Sequence, residues 1–329
     1  MPQPDFSDPK TISVAVLGAG ALGCLYGGAL AQAGCRVTLI TRRKEHLEAI
    51  NKNGLHIAGP GNSGKAGHNG PYSGDVITGI RAVKDLESAP QPDLLLLTVK
   101  SHGTKKAMEQ AAQHIPAHCL VLTLQNGIGN IPIIYRHVPQ ARILGGVSYR
   151  GAFYAAPGSI RHTGRADTVI GTLLENQPHA ENVRALFERV GLPCSVSKNI
   201  RGLLWTKLMV NIAINPLAAL CRLSNGELAL HAESTSIMRD IVAEAVAVAE
   251  AKGIRLEVED PLEHALKIAT ATGPNKASML QDVLSGRRTE IDFMNGAVVN
   301  EGQKLGLSTP ANAMVTNMIR LLEKSYLRN

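Results

Sequence analysis

The chain has 329 residues, 44% of them hydrophobic but only 3% aromatic, which is enough for two cores packed mainly by aliphatic side chains. Its 34 basic residues outnumber 27 acidic ones for a net charge of +7, yet the basic clusters at Arg42, Lys105 and Arg287 lie far apart with few aromatics among them. That pattern speaks against a nucleic-acid surface and suits an anionic cofactor and an acidic substrate.

The first predicted element is a strand from Ile12 that runs into Gly18-Ala19-Gly20-Ala21-Leu22-Gly23 and then into a helix. Gly18 permits the tight turn, Gly20 lets a pyrophosphate approach the backbone, and Gly23 brings the helix against the strand, while the helix's free N–H groups face the phosphates. A second strand, 35–40, completes the βαβ unit that gives this turn its meaning. An NAD-type site would follow that strand with an acid for the ribose 2′-hydroxyl, whereas Thr41-Arg42-Arg43 follows here and the first acid is Glu45. The expectation is NADP(H), with the Arg42 guanidinium on the 2′-phosphate and Arg43 readable as an ordinary solvated residue.

Residues 59–74 are glycine-rich and read as a loop without regular structure. Apolar runs at 92–100 and 119–124 match strands buried on both faces of a parallel sheet. Each ends in polar residues, Lys100 and Gln125-Asn126-Gly127, where strand carboxyl ends open into a ligand crevice, although Asn126-Gly127 alone reads at least as well as a simple turn. A strand at 143–147, an antiparallel extension across 153–170, a helix near 180–190 and a last strand at 193–197 complete the first half. From Ile200 onward the pattern is helical, broken at Asn225-Gly226, Lys252-Gly253, Gly273-Pro274 and 306–310. The fold class is therefore α/β, an N-terminal Rossmann-type dinucleotide-binding domain over 11–198 and a C-terminal all-helical domain over 199–329, with a substrate cleft expected between them.

The helical half opens with Lys207, Asn211 and Asn215 at every fourth position of an otherwise apolar helix, so they share one face. A stripe turned to a cleft would desolvate the lysine and lower its pKa toward the range of a general acid. The other reading is a solvated face, against which stand two asparagines, poor helix formers where Glu, Lys or Arg would be usual. Further on, Ser278 and Glu290 could reach the same cleft, while pattern alone makes the serine a cap and the glutamate a solvated residue.

Five cysteines without paired spacing and eleven histidines without a ligand set indicate neither a disulfide framework nor a metal site. Residues 1–10 read as a frayed tail rather than a signal peptide, and no apolar run is expected to reach membrane-spanning length, so a reducing cytoplasm is the expected compartment.

Taken in order across residues 12–325, these motifs resemble the ketopantoate reductase (2-dehydropantoate 2-reductase) family. They are the glycine turn, Lys100, Gln125-Asn126-Gly127, Trp205-X-Lys207-X-X-X-Asn211-X-X-X-Asn215-Pro216, Asn225-Gly226-Glu227-Leu228, and the block from Ser278 to Glu290-Ile291-Asp292. Only the combination is specific, because many dehydrogenases share the first motif. The resemblance implies an NADPH-dependent reduction of 2-dehydropantoate to pantoate, with Lys207 as general acid and Glu290 hydrogen-bonded near the reacting centre and the cofactor. It implies substrate contacts from Asn211, Asn215, Asn225 and Ser278, Asn126 between cofactor and substrate, Lys100 at the cofactor, and Ala152 as a backbone contact to the nicotinamide. The implied partner is a small 2-keto acid, with no nucleic acid, no membrane and no metal, and a homodimer is compatible with the sequence. A paralogue acting on another 2-keto acid would keep the same motifs, whereas a non-catalytic NADP sensor would have no use for Lys207 and Glu290.

Overall fold

Strand β1 (Ser13–Leu17) is buried at all five positions, as a strand covered on both faces must be. It lies inside the first of two units in the computed structural model, residues 1–125 with 131–200, the second being residues 126–130 with 201–329. The residues described are 6–59, 76–164, 166–174 and 178–327, so the glycine-rich loop expected at 59–74 lies outside them except for Gly59.

After β1 the first unit continues through α1 (Ala21–Gln32), β2 (Arg36–Ile40), α2 (Lys44–Asn53), β3 (Leu55–Ala58), β4 (Val76–Ile77), β5 (Arg81–Val83), β6 (Leu94–Leu97), α3 (Thr104–Ala111) and β7 (Leu120–Thr123). Then come α4 (Asn130–Tyr135), β8 (Ile143–Ser148), β9 (Gly151–Ala156), β10 (Ser159–Gly164), β11 (Thr168–Thr172), α5 (His179–Arg189) and β12 (Cys194–Val196). The main sheet has the order β12-β11-β8-β7-β6-β1-β2-β5, parallel from β5 to β8, with β11 antiparallel to β8 and β12 parallel to β11. This is the Rossmann-type arrangement, and β6 and β7 are buried throughout.

Antiparallel pairing, expected across 153–170, joins β9 to β10 and β11 to β8, but only β11 extends the main sheet. Strands β9 and β10 leave the main sheet and join β3 and β4 in a second sheet, ordered β4-β3-β10-β9. Helix α1 packs on β1 and β2 and also on β3, β9 and β10, which is why residues 23–30 are buried without interruption and the helix shows no polar face. The tail is a second correction. Phe6 is buried in the core, and the Asp8 side chain accepts a 3.0 Å hydrogen bond from the Lys10 N–H, so the described part of the tail is anchored.

The second unit is helical in its described residues: α6 (Ile200–Cys221), α7 (Asn225–Leu230), α8 (Ala232–Ala251), α9 (Pro261–Ala271), α10 (Ser278–Leu284), α11 (Asn295–Leu305) and α12 (Pro310–Tyr326). Asn225-Gly226 opens α7 instead of marking a break, because Glu227 Oε2 accepts from both the N–H and the hydroxyl of Ser224, at 2.7 and 2.6 Å, and fixes the helix start one residue earlier. Helix α6, 22 residues long, does reach membrane-spanning length and hydropathy, against expectation, but 67% of that window is buried. Its apolar side chains Trp205, Met209, Ile212 and Ala213 pack with Met238 and Ile241 of α8, the environment of a core helix.

Pro216 lies inside α6, and its missing N–H leaves the Ile212 carbonyl without the usual helical donor. Asn295 Nδ2 supplies the hydrogen bond at 3.2 Å and also donates to Asn312 Oδ1 at 3.1 Å. Asn312 in turn donates to the Ile241 carbonyl at 2.9 Å and to Glu244 at 2.8 Å. A buried polar network thus ties α6, α8, α11 and α12 together and holds the helix that carries Lys207, Asn211 and Asn215.

Candidate active site

In the first unit, β1 ends in a turn shaped by its glycines. Gly18 has φ +110°, and a Cβ there would run into the Val99 backbone, so no other residue fits. The N–H groups of Gly18 and Ala19 both donate to the Ile40 carbonyl, at 3.1 and 3.0 Å, and the Thr98 hydroxyl donates to the Gly18 carbonyl at 2.8 Å. A Cβ on Gly23 would lie 2.6 Å from Thr98 Oγ1 and 3.0 Å from Val16 Cγ1, so the glycine lets α1 sit against β1. A Cβ added at Gly20 would meet nothing closer than the Gly18 carbonyl oxygen at 4.0 Å, which leaves that side of the residue open. Helix α1 then starts at Ala21 without a side-chain cap, so its first-turn N–H groups and positive dipole end are presented to an anion. The cradle fits a dinucleotide pyrophosphate.

Beyond β2, Thr41 is buried and Arg42 exposed. Arg43 is not the plainly solvated residue expected: its Nη2 donates to the Ala19 carbonyl at 3.3 Å and its Cζ lies 4.1 Å from the centroid of the Tyr154 ring. Lys100, exposed, follows β6 at the same carboxyl edge as the glycine turn. Gln125 is a strut there, donating to the Val99 carbonyl at 2.8 Å and to Thr104 Oγ1 at 2.7 Å. Ala152 lies on β9, an edge strand of the second sheet. Two residues before it, Arg150 is 8% exposed and its Nε has no hydrogen-bond partner among the described residues, an arrangement suited to an anionic group. Sequence reasoning passed over Arg150 because a lone arginine carries no pattern.

In the second unit, Lys207, Asn211 and Asn215 share one face of α6. Burial pulls the Lys207 ammonium well below the ordinary lysine range, to about 8, and the Glu290 carboxylate opposes that fall. Glu290 itself is 5% exposed, which contradicts its reading as a solvated residue. The preceding residue is pinned, since the Thr289 N–H donates to Glu323 Oε1 at 2.6 Å. Asn211 Nδ2 is buried with no partner among the described residues, while Asn215 Nδ2 is 3.5 Å from Met294 Sδ. Asn225 donates to Thr272 Oγ1 at 2.9 Å, and its Oδ1 is buried without a partner.

Ser278 is the first residue of α10 and not its cap, with no capping hydrogen bond from the preceding Ala277. Asn126 groups with the helical unit: its carbonyl accepts from Asn130 Nδ2 at 3.0 Å, and the next residues are held by the Ile128 N–H donating to the Phe293 carbonyl at 2.9 Å. Gly127, at φ +78°, faces that same carbonyl so closely that a Cβ would not fit. The turn reading of Asn126-Gly127 is therefore correct for the backbone and leaves a role for the Asn126 side chain open. Among the described residues no group of His, Cys, Asp or Glu is arranged to hold a metal ion.

The chain matches the family model described as ketopantoate reductase PanE/ApbA over residues 14–175 and that of the ketopantoate reductase PanE/ApbA C terminal over residues 199–323. It is 36% identical over 313 residues to the 2-dehydropantoate 2-reductase of Pyrococcus horikoshii, covering 95% of this chain and 98% of the relative. Identity to the enzyme of the same name from Halobacterium salinarum is 32%, covering 94% and 99%. A PanE/ApbA family ketopantoate reductase from Ralstonia eutropha JMP134 superposes with a TM-score of 0.86 at 35% identity, covering 96% of this chain and 100% of that one. A D-mandelate dehydrogenase solved with NADH and anilino(oxo)acetate also gives 0.86, at 27% identity over 96% and 99% of the two chains.

Proposed function

Because this chain belongs to the ketopantoate reductase family, we propose that it reduces 2-dehydropantoate to pantoate with NADPH, on the route to pantothenate and coenzyme A. The observation that carries this reading is the Lys207 ammonium, desolvated to a pKa of about 8 on the same helix face as two asparagines. The nicotinamide, when bound, supplies the hydride. Hydride addition builds negative charge on the carbonyl oxygen, and Lys207 Nζ aimed at that atom stabilises the charge and delivers the proton. Glu290 keeps the ammonium charged and oriented, since its carboxylate raises the lysine pKa against the effect of burial.

The open donor on Asn211 and the open acceptor on Asn225 suit the oxygens and hydroxyl of a small polar acid, with Asn215 and Ser278 completing the substrate contacts. Asn126 lies between substrate and cofactor in this reading. The glycine turn, Lys100, Ala152 and Glu290 hold the dinucleotide, and Arg42 holds its 2′-phosphate. The reaction is assigned to the cytoplasm, where five free cysteines stay reduced; burial raises Cys24, Cys119 and Cys194 to about 12, which makes these thiols inert.

The likeness to D-mandelate dehydrogenase supports one second reading, a reductase of another bulky 2-keto acid with the same turn and lysine but different pocket walls. Steady-state kinetics of the purified protein with NADPH and a panel of 2-keto acids separate the two. Ketopantoate should give the highest kcat/KM, and a clear preference for an aryl or branched 2-keto acid would overturn the assignment.

A further inference from the structure

Glu290 lies on a stretch without helix or strand, between the end of α10 and the 3-10 turn Ile291–Phe293. With no ladder of its own to fix it, its place is set by what grips the neighbouring residues, and that grip comes largely from the last turns of α12. Arg320, Glu323 and Tyr326 fall on one face of that helix. The Tyr326 hydroxyl donates to the Arg287 carbonyl at 3.1 Å, Glu323 Oε1 accepts the Thr289 N–H at 2.6 Å, and Arg320 Nε donates to Asp292 Oδ1 at 2.8 Å. The three holds straddle Glu290.

They are not equal. Arg320 is exposed, and an exposed ion pair contributes little. Glu323 is 8% exposed, so its carboxylate has been taken out of water to meet a backbone N–H, a charge-assisted bond on the residue next to Glu290. Burial, together with Glu323 and Asp282 of α10, pushes the Tyr326 phenol up to about 12, so its hydroxyl keeps its proton wherever a lysine near 8 titrates. Asp282 in turn accepts from Arg287 Nε at 3.3 Å. Glu290 is the charged group set against the burial of Lys207, and a coulombic interaction weakens with distance, so a displaced 287–292 segment would change the charge state of a lysine on another helix. We infer that Glu323 is a positioning residue: from the last helix it holds Glu290 where the Glu290 carboxylate keeps Lys207 charged, with Tyr326 as the second hold. The inference rests on reading Lys207 as the proton donor and Glu290 as its partner.

The test is the titration of Lys207 itself, followed by NMR of lysine labelled at Cε, with Lys207→Met identifying the signal. The parent midpoint should be about 8. Glu323→Leu removes the acceptor of the Thr289 N–H and should lower the midpoint by roughly one pH unit, and the pH at which reductive kcat/KM falls should move down with it. Glu323→Gln keeps a neutral acceptor in the same place and should titrate like the parent. Arg320→Gln combined with Tyr326→Phe alters only side chains that reach solvent and should lower the midpoint by a smaller amount. An unchanged midpoint in a folded Glu323→Leu protein would overturn the inference, and if that variant does not fold, an unchanged midpoint in the double variant would. A fall in Glu323→Gln as large as in Glu323→Leu would overturn it too, because Glu323 would then act through its own charge. Glu290→Gln separates this inference from the reading beneath it. A midpoint that falls in Glu290→Gln but holds in Glu323→Leu overturns the positioning role alone, whereas no fall in Glu290→Gln overturns the pairing of Glu290 with Lys207 and the inference with it. No substrate enters the titration, so an error about ketopantoate leaves this result untouched.

Discussion

Asn295→Leu, alone and combined with Pro216→Ala, tests whether the helix bearing the polar stripe is held by a side chain standing in for a missing backbone donor. The leucine substitution leaves both the Ile212 carbonyl and Asn312 Oδ1 without the donor they share, Asn295 Nδ2 at 3.2 and 3.1 Å. Each stranded buried acceptor costs about 1–3 kcal/mol, so the single variant should lose roughly 2–6 kcal/mol. Pro216→Ala restores an N–H at the position that normally donates to the Ile212 carbonyl, and in that background the loss at Asn295 should shrink by about 1–2 kcal/mol. Urea unfolding followed by tryptophan fluorescence reads this directly, because the single tryptophan, Trp205, is buried in the helical core. Additive effects, with no coupling beyond about 0.5 kcal/mol, would refute the claim that Asn295 replaces the proline's missing donor.

Arg42→Ala should weaken NADPH about tenfold or more and leave NADH nearly unaffected, as titration of each cofactor would register; equal losses would reject its role on the 2′-phosphate. Reductive kcat/KM should fall as pH rises through about 8, where Lys207 loses its proton, and oxidation of pantoate by NADP⁺ should rise over the same window, where the neutral amine can accept one. The sign for stability is the reverse of the usual lysine case. The folded-state pKa lies below the unfolded value, so the charged ammonium costs stability below about 8 and that cost disappears as pH rises further. Lys207→Met should accordingly abolish the pH dependence of reduction in that window.

Elements whose pattern is local were readable. The strands at β1, β6 and β7 are uninterrupted apolar runs, and the glycine turn joins a strand to a helix through spacing alone. The stripe Lys207-Asn211-Asn215 needed only the helical period to fall on one face. What the sequence hid depends on distant pairing. Strands β9 and β10 lie outside the main sheet because β3, about a hundred residues earlier, offers β10 an edge and β9 pairs on β10's other side, and nothing in their own composition records that partner. Arg43 looked solvated because the ring beneath it comes from Tyr154 on that same displaced strand. The burial of Glu290 was equally invisible, since the 289–290 backbone is anchored from Glu323, near the end of the last helix.

The central claim is that Lys207 donates the proton in the chemical step, and the kinetics of Lys207→Ala beside its NADPH affinity test it most directly. The account predicts that kcat for ketopantoate falls about 10²-fold or more while the Kd for NADPH stays near the parent value, because the ammonium responds to charge that appears only on the reacting oxygen. A Lys207→Ala protein that folds, binds NADPH and still reduces ketopantoate at close to the parent rate would contradict it.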